Sequence, residues 1–178
     1  IKEDGVELPS KIALFQGLPK ADKMELIVQK AVELGVGEII PVAAGRSIVK
    51  LDEKKAKAKV SRWQGIAEAA AKQSRRGIIP KISEVMSMKE AIAYAGSMDV
   101  RLIPYELAED MAKTKEIISG IRPGESVAVF IGPEGGFEEK EIAAAMERGF
   151  LPVTLGRRIL RTETAGFTVL AWLMYHLQ

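Results

Sequence analysis

The sequence predicts an α/β domain with a mostly parallel sheet flanked by helices, and three observations carry that prediction. Short apolar runs alternate along the chain with longer segments whose apolar residues recur at helical spacing. One run, Val127 to Ile131, has no polar side chain and is rich in β-branched residues, the mark of a strand buried on both faces. Two loops each follow an apolar run: Ile131-Gly132-Pro133-Glu134-Gly135-Gly136-Phe137, and Leu155-Gly156-Arg157-Arg158-Ile159-Leu160-Arg161-Thr162-Glu163-Thr164-Ala165. Open α/β sheets bind ligands beyond the carboxyl ends of their strands, so these loops are expected to form one pocket.

The elements follow in order. Lys11 to Gly17 reads as a strand, and Asp22 to Leu34 as a helix with Met24, Ile27, Val28, Ala31 and Leu34 on one face. Asp22 and Glu25 resemble a capping box, and Gly35 stands at the C′ position. Glu38 to Val42 is a second strand. A long helix then runs from about Asp52 to Arg76, with Val60, Trp63, Ala67 and Ala70 facing inward. Pro80 to Val85 reads as a third strand, Met88 to Tyr94 as a helix, Asp99 to Ile103 as a strand and Ala108 to Ser119 as a helix. After Val127 to Ile131 come a helix from about Glu139 to Arg148, a strand from Pro152 to Leu155 and a last helix from about Thr162. That helix carries Phe167, Val169, Leu170, Trp172, Leu173, Met174 and Tyr175 around its whole circumference. A helix apolar all round is buried on all sides, so a symmetric homodimer is expected to cover its outer face. Its run is too short for the roughly 20 residues of a membrane span.

With 178 residues, 47% hydrophobic and 28% charged, the chain has the balance of one main globular domain. The absence of cysteine excludes disulfides, thiol catalysis and thiolate metal sites, and the single histidine, His176, leaves no His-based metal cluster. No leader or signal segment is visible, so the cytoplasm is the expected compartment. Gly5-Val6-Glu7-Leu8-Pro9 reads as the end of a preceding unit. Residues 1–9 are therefore expected to be a remnant or linker, and residues 10–178 the domain. Between Lys50 and Lys81 stand 10 Lys and Arg against 3 Asp and Glu, so this stretch carries +7 and the rest of the chain −5. A segregated positive stretch is the footprint of a polyanion partner, and a solvated helix has the same composition.

The first loop packs three glycines and a carboxylate into five residues. A tight turn into a helix accounts for part of it, with Phe137 stapling onto Ile142 and Glu141 at N3. Neither G-x-G-x-x-G nor G-x-x-x-x-G-K-[ST] occurs, and Glu134 favours a cationic or hydroxyl-rich ligand over a triphosphate. In the second loop Arg157, Arg158 and Arg161 precede the helix start Thr162-Glu163-Thr164. The threonines suit a cap and Glu163 complements the helix dipole, whereas the arginines oppose it and should serve something anionic.

Gly132-Pro133-Glu134-Gly135-Gly136, the string from Leu155 to Ala165, Asp22-Lys23-Met24-Glu25-Leu26 and Arg46-Ser47 together resemble the bacterial 16S ribosomal RNA uridine-N3 methyltransferases, the RsmE family of the SPOUT class. The resemblance runs from about Leu8 to the C-terminus. It implies a SPOUT-type trefoil-knotted α/β domain, S-adenosyl-L-methionine (AdoMet) as methyl donor, S-adenosylhomocysteine as product and a homodimer. It also implies a preceding PUA-like RNA-binding domain, of which residues 1–9 would be the end. By this resemblance the donor would be held by Ile103, Pro104, Ile131, Gly132, Pro133, Glu134, Gly135, Leu155, Gly156, Ile159, Leu160, Arg161, Thr162 and Ala165. The reaction would be methylation of N3 of a uridine in 16S ribosomal RNA of the small subunit. Arg161 would stabilise the uracil anion with Arg158 assisting, and Glu163 would act as base or orient Arg161. Arg46, Arg75, Arg76 and Arg158 are the expected RNA contacts. The rival readings are a related enzyme acting on transfer RNA and a non-catalytic RNA-binding module. The Arg161-Thr162-Glu163-Thr164 string weighs against the first, and the intact glycines of both loops against the second.

Overall fold

A computed structural model describes residues 5–47, 51–105 and 110–178 of the chain. Its elements are β1 (Ile12–Gly17), α1 (Lys23–Glu33), β2 (Glu38–Ala43), α2 (Glu53–Gln73), β3 (Lys81–Ile82), β4 (Met86–Ser87), α3 (Met88–Ala95), β5 (Val100–Pro104), α4 (Met111–Ser119), β6 (Val127–Ile131), α5 (Glu139–Glu147), β7 (Leu151–Val153) and α6 (Thr162–Leu177). The sheet runs β3-β2-β1-β6-β5-β7, with β4 also on β2, and every pairing is parallel. The expected α/β class is therefore what the chain adopts.

The two central strands explain the architecture. All side chains of β1 and β6 are buried, and they alternate between two cores. Ile12, Leu14, Val127 and Val129 meet residues of α1, α2 and α6 on one face, while Ala13, Phe15, Ala128 and Phe130 meet α3 and α5 on the other. Phe15 stacks on Phe130 at 4.3 Å, and Phe150 meets Phe130 edge-on at 4.8 Å. Burying each such side chain contributes about 1.5–3 kcal/mol.

Several local expectations change. Asp22 makes no side-chain cap on α1, because its backbone (φ −91°, ψ 14°) is not extended as an N-cap requires. Glu25 instead pairs with Arg62 of α2. The strand expected over Pro80 to Val85 is only β3, because the chain leaves β2 after Ser83 and rejoins it as β4. Ser87 then starts α3 with a reciprocal capping box to Glu90. The long helix stops at Gln73 in a Schellman closure: Arg76 N–H bonds to the Ala71 carbonyl and Arg75 sits in the left-handed region (φ +59°). Gly35, at φ +96°, takes its expected C′ place. Residues 1–4 of the expected remnant and the Ala108 start of the fourth helix lie outside the described residues.

Helix α6 packs on α1, α4 and β6 through Ala165, Val169, Leu170 and Leu173. Its other face is on the surface. Tyr175 is 86% exposed, and Phe167, Trp172 and Met174 are only half-buried. Burial of the entire circumference is therefore not achieved within one chain. No helix among the described residues is long and apolar enough to cross a membrane.

Candidate active site

At the carboxyl ends of the central strands the chain forms a cavity of about 710 Å³. Both loops singled out above contribute walls. The turn after β6 supplies Ile131 to Phe137, the segment entering α6 supplies Ile159 to Thr162, and the end of β5 and the residue after it add Pro104 and Tyr105. The glycine turn folds back so tightly that a Cβ on Gly132 would lie 3.0 Å from the Phe137 nitrogen and 3.1 Å from the Gly136 Cα. Gly136, at φ +73°, donates its N–H to the Pro133 carbonyl at 2.8 Å and closes the turn.

One hydrogen-bond chain ties the two loops. The Thr162 hydroxyl donates to the Gly132 carbonyl at 2.6 Å, and Gln16 Nε2 donates to Thr162 Oγ1 at 2.8 Å. A second group of contacts places charge at the rim. Glu134 accepts the Lys20 N–H at 2.8 Å, and Lys23 Nζ lies 3.4 Å from Glu134 and 3.8 Å from Glu163. Burial alone would raise the Glu134 pKa, but the Lys20 and Glu134 N–H groups and the Lys23 ammonium outweigh it and hold the carboxyl below its ordinary value. Arg46 donates to the Gly135 carbonyl at 3.1 Å. Its loop is fastened to the start of α5 by Glu141, whose carboxylate takes the Gly45 N–H at 3.1 Å and the Glu138 N–H at 2.8 Å.

The lining combines apolar Pro104, Ile131, Phe137 and Leu160 with charged Lys23, Arg46, Glu134 and Arg161. Such a cleft suits an amphiphilic ligand with a flat apolar part and a charged part. Among the described residues no three His, Cys, Asp or Glu side chains gather as a metal site.

A family model described as an RNA methyltransferase domain matches residues 6–174. The chain belongs to this RNA methyltransferase family. The ribosomal RNA small subunit methyltransferase E of Bacillus subtilis is 41% identical to it over 172 residues, which cover 95% of this chain and 67% of the relative. A solved Legionella pneumophila methyltransferase with its bound cofactor SAM has a TM-score of 0.87 at 36% identity, over 95% of this chain and 67% of that one. The ribosomal RNA small subunit methyltransferase E of Neisseria gonorrhoeae, solved bound to S-adenosyl methionine, has a TM-score of 0.82 at 38% identity, over 93% of this chain and 66% of that one. The chain thus spans about two thirds of the length of these relatives.

In this RNA methyltransferase domain Pro104, Ile131, Gly132, Pro133, Glu134, Gly135, Ile159, Leu160, Arg161, Thr162, Ala165 and Arg46 all line the cavity. Ile103 does not, because its side chain is fully buried in the sheet core. Leu155 and Gly156 stand outside the lining, with Leu155 packed on the core and Gly156 at φ +101° held by Thr154. Glu163 faces Lys23 rather than the cavity, and its buried Oε2 takes no hydrogen bond among the described residues. Arg75 and Arg158 are exposed and away from the lining.

Arg76 is a correction. Its side chain is 6% exposed, its Nε is shared between both oxygens of Glu7 at 3.0 Å, and its Nη1 donates to the Val32 and Val36 carbonyls. A guanidinium spent in this way braces the fold and is not offered to phosphate. Lys23, Tyr105, Gly136, Phe137, Glu139 and Ile142 complete the lining and were not among the expected site residues. Lys23 had a visible signal in the Asp22-Lys23-Met24-Glu25 string, and Glu141 in its N3 position. Gly136 and Phe137 stand in the glycine loop itself, whereas Tyr105, Glu139 and Ile142 are brought in by the path of the chain in three dimensions.

Proposed function

We propose that this chain binds AdoMet in the cavity and transfers its methyl group to N3 of a uridine in 16S ribosomal RNA of the small subunit. The observation that carries the reading is the meeting of the glycine turn and the arginine-led segment around one cavity, locked by the Thr162–Gly132 bond. The lining fits the donor. Glu134 and Glu139 suit its cationic groups, and the apolar wall of Pro104, Ile131 and Leu160 suits its adenine. When bound, AdoMet supplies an electrophilic methyl on a positively charged sulfur.

The chain's own residues have the remaining work. Uracil N3 is a good nucleophile only once its proton is lost, and the resulting charge spreads to O2 and O4. Arg161, which lines the cavity, is proposed to stabilise that charge, with Arg158 three residues earlier assisting. Glu163, two residues after Arg161 in the first turn of α6 and with its Oε2 3.8 Å from Lys23 Nζ, is proposed either to accept the proton or to orient Arg161. Because N3 lies on the pairing edge, the target base must be unpaired or extruded. Arg46 on the rim and exposed Arg75 are proposed phosphate contacts, helped by the positive stretch that includes α2.

The same reading includes the threading of the segment before α6 as a trefoil knot, a homodimer through the outer face of α6, a preceding PUA-like domain ending near residue 9, and a cytoplasmic setting. The half-exposed apolar face of α6 supports the dimer. Glu7 and Leu8 pack against Arg76 and Gly35.

Titration calorimetry with S-adenosylhomocysteine tests the donor site. Mass-spectrometric mapping of methylated nucleotides in ribosomal RNA, from cells with and without the gene, tests the target. Binding together with a missing methyluridine in the deleted strain is the expected result. A chain that gives no heat with the product would overturn the reading.

A further inference from the structure

Gln16 is the one polar side chain in β1, and none of its surface is exposed. A methionine or leucine would fill the same place without needing partners. Gln16 instead spends the two hydrogens of Nε2 on the Gly17 carbonyl at 3.0 Å and on Thr162 Oγ1 at 2.8 Å. Its Oε1 is buried and has no hydrogen-bond partner among the described residues. A half-matched amide in a core costs stability, so its presence asks for another reason.

That reason is direction. A threonine hydroxyl has one hydrogen to give and two lone pairs to receive with. Because Gln16 donates into it, the Thr162 hydrogen is left for the Gly132 carbonyl at 2.6 Å. The opposite amide orientation would set Oε1 against the Gly17 carbonyl and would claim the threonine's hydrogen. Gln16 itself lies behind the cavity, whereas Thr162 and Gly132 form its walls.

We propose that Gln16 is a positioning residue for the methyl donor. Acting through Thr162, it holds the glycine turn and the start of α6 at the separation that the donor requires. The inference rests on the reading of the cavity as the AdoMet site. Gln16 touches neither donor nor RNA, so its loss raises the dissociation constant and KM for AdoMet and leaves kcat nearly unchanged.

The test is calorimetric titration of the chain with S-adenosylhomocysteine, paired with thermal unfolding, for the unaltered protein, Gln16→Met, Thr162→Val, Thr162→Ser and the double variant Gln16→Met/Thr162→Val. Gln16→Met is expected to unfold at or above the unaltered temperature yet to bind roughly tenfold more weakly, the size of one lost hydrogen bond. Thr162→Val should weaken binding similarly and Thr162→Ser should restore it. The double variant should bind no more weakly than the weaker single one, because both changes break one chain. Should Gln16→Met fail to fold, Gln16→Leu carries the same test. Unchanged affinity in Gln16→Met, or losses that add in the double variant, would overturn the proposal. No binding by the unaltered protein would instead remove the donor-site reading beneath it.

Discussion

Thr162 and Gly132 are joined by a 2.6 Å hydrogen bond that links the first residue of α6 to the turn after β6. The contact brings a helix start and a strand end, 30 residues apart in sequence, to adjoining walls of one cavity. Its carbonyl acceptor belongs to a glycine, and that choice has a measurable consequence.

Replacing Gly132 by alanine would put a methyl group 3.0 Å from the Phe137 nitrogen and 3.1 Å from Gly136. The contacting atoms are backbone, so the turn must open. Gly132→Ala is expected to lower affinity for S-adenosylhomocysteine by about tenfold or more and to reduce stability by about 1–3 kcal/mol. Calorimetry and urea unfolding measure the two effects separately. Unchanged binding would mean that the turn does not shape the donor site.

Arg161 is the N-cap residue of α6, is exposed and makes no side-chain cap bond, so removing its guanidinium leaves the helix start intact. Arg161→Ala should therefore stay folded while its turnover falls by about 10²-fold or more, as when a charge-stabilising donor is lost from an active site. The decisive readout is the methylated uridine in ribosomal RNA of a complemented deletion strain. Restoration to the unaltered level would take Arg161 out of the mechanism.

The carboxyls of Glu134, Glu25 and Glu90 are all held below their ordinary value of 4.5. For Glu25 the cause is first the Arg62 side chain, for Glu90 the Ser87 backbone and hydroxyl, and for Glu134 the N–H groups and Lys23 that overcome burial. A folded-state pKa below the unfolded one adds stability that is complete above the unfolded value and drains away as pH falls through the folded one. Thermal unfolding between about pH 6 and pH 3 should show that decline. Glu134→Gln should flatten part of it, and an identical slope would show that Glu134 makes no contribution.

The outer face of α6 presents Tyr175, with Trp172 and Met174 half-buried beside it. A carboxylate in a dry contact has no compensating partner there, so Tyr175→Glu should dissociate the proposed homodimer. Analytical ultracentrifugation of both proteins decides it. A monomeric unaltered chain, or a dimer indifferent to the change, would exclude this face.

The elements that apolar spacing specifies were legible in the sequence. β6 reads as buried on both faces because none of its five residues is polar, and it is central in the sheet. The two loops were legible as well, since glycines and arginines are conspicuous at strand ends. Contacts that depend on distant partners were not. Arg76 was an expected RNA contact, but it meets Glu7 from before β1 and the carbonyls of Val32 and Val36 at and just after the end of α1. Asp22 had the residue type of a cap without the extended backbone of one. Lys23 stands at the rim because Glu134 and Glu163 converge there from two other elements. Glu163 has a local reading as a dipole partner and a spatial one as a neighbour of Lys23, and only the second places it.

Gln16 and Thr162 meet across 146 residues, and β1 cannot reach its neighbour β6 until most of the polypeptide exists. Native contacts this remote form slowly, because a long loop must close before it is rewarded. A ribosome making this protein must therefore deliver the first turn of α6 before the cavity has both walls. Shorter nascent chains therefore have no complete donor pocket, and the first turnover waits for the segment from Ile159 to Ala165.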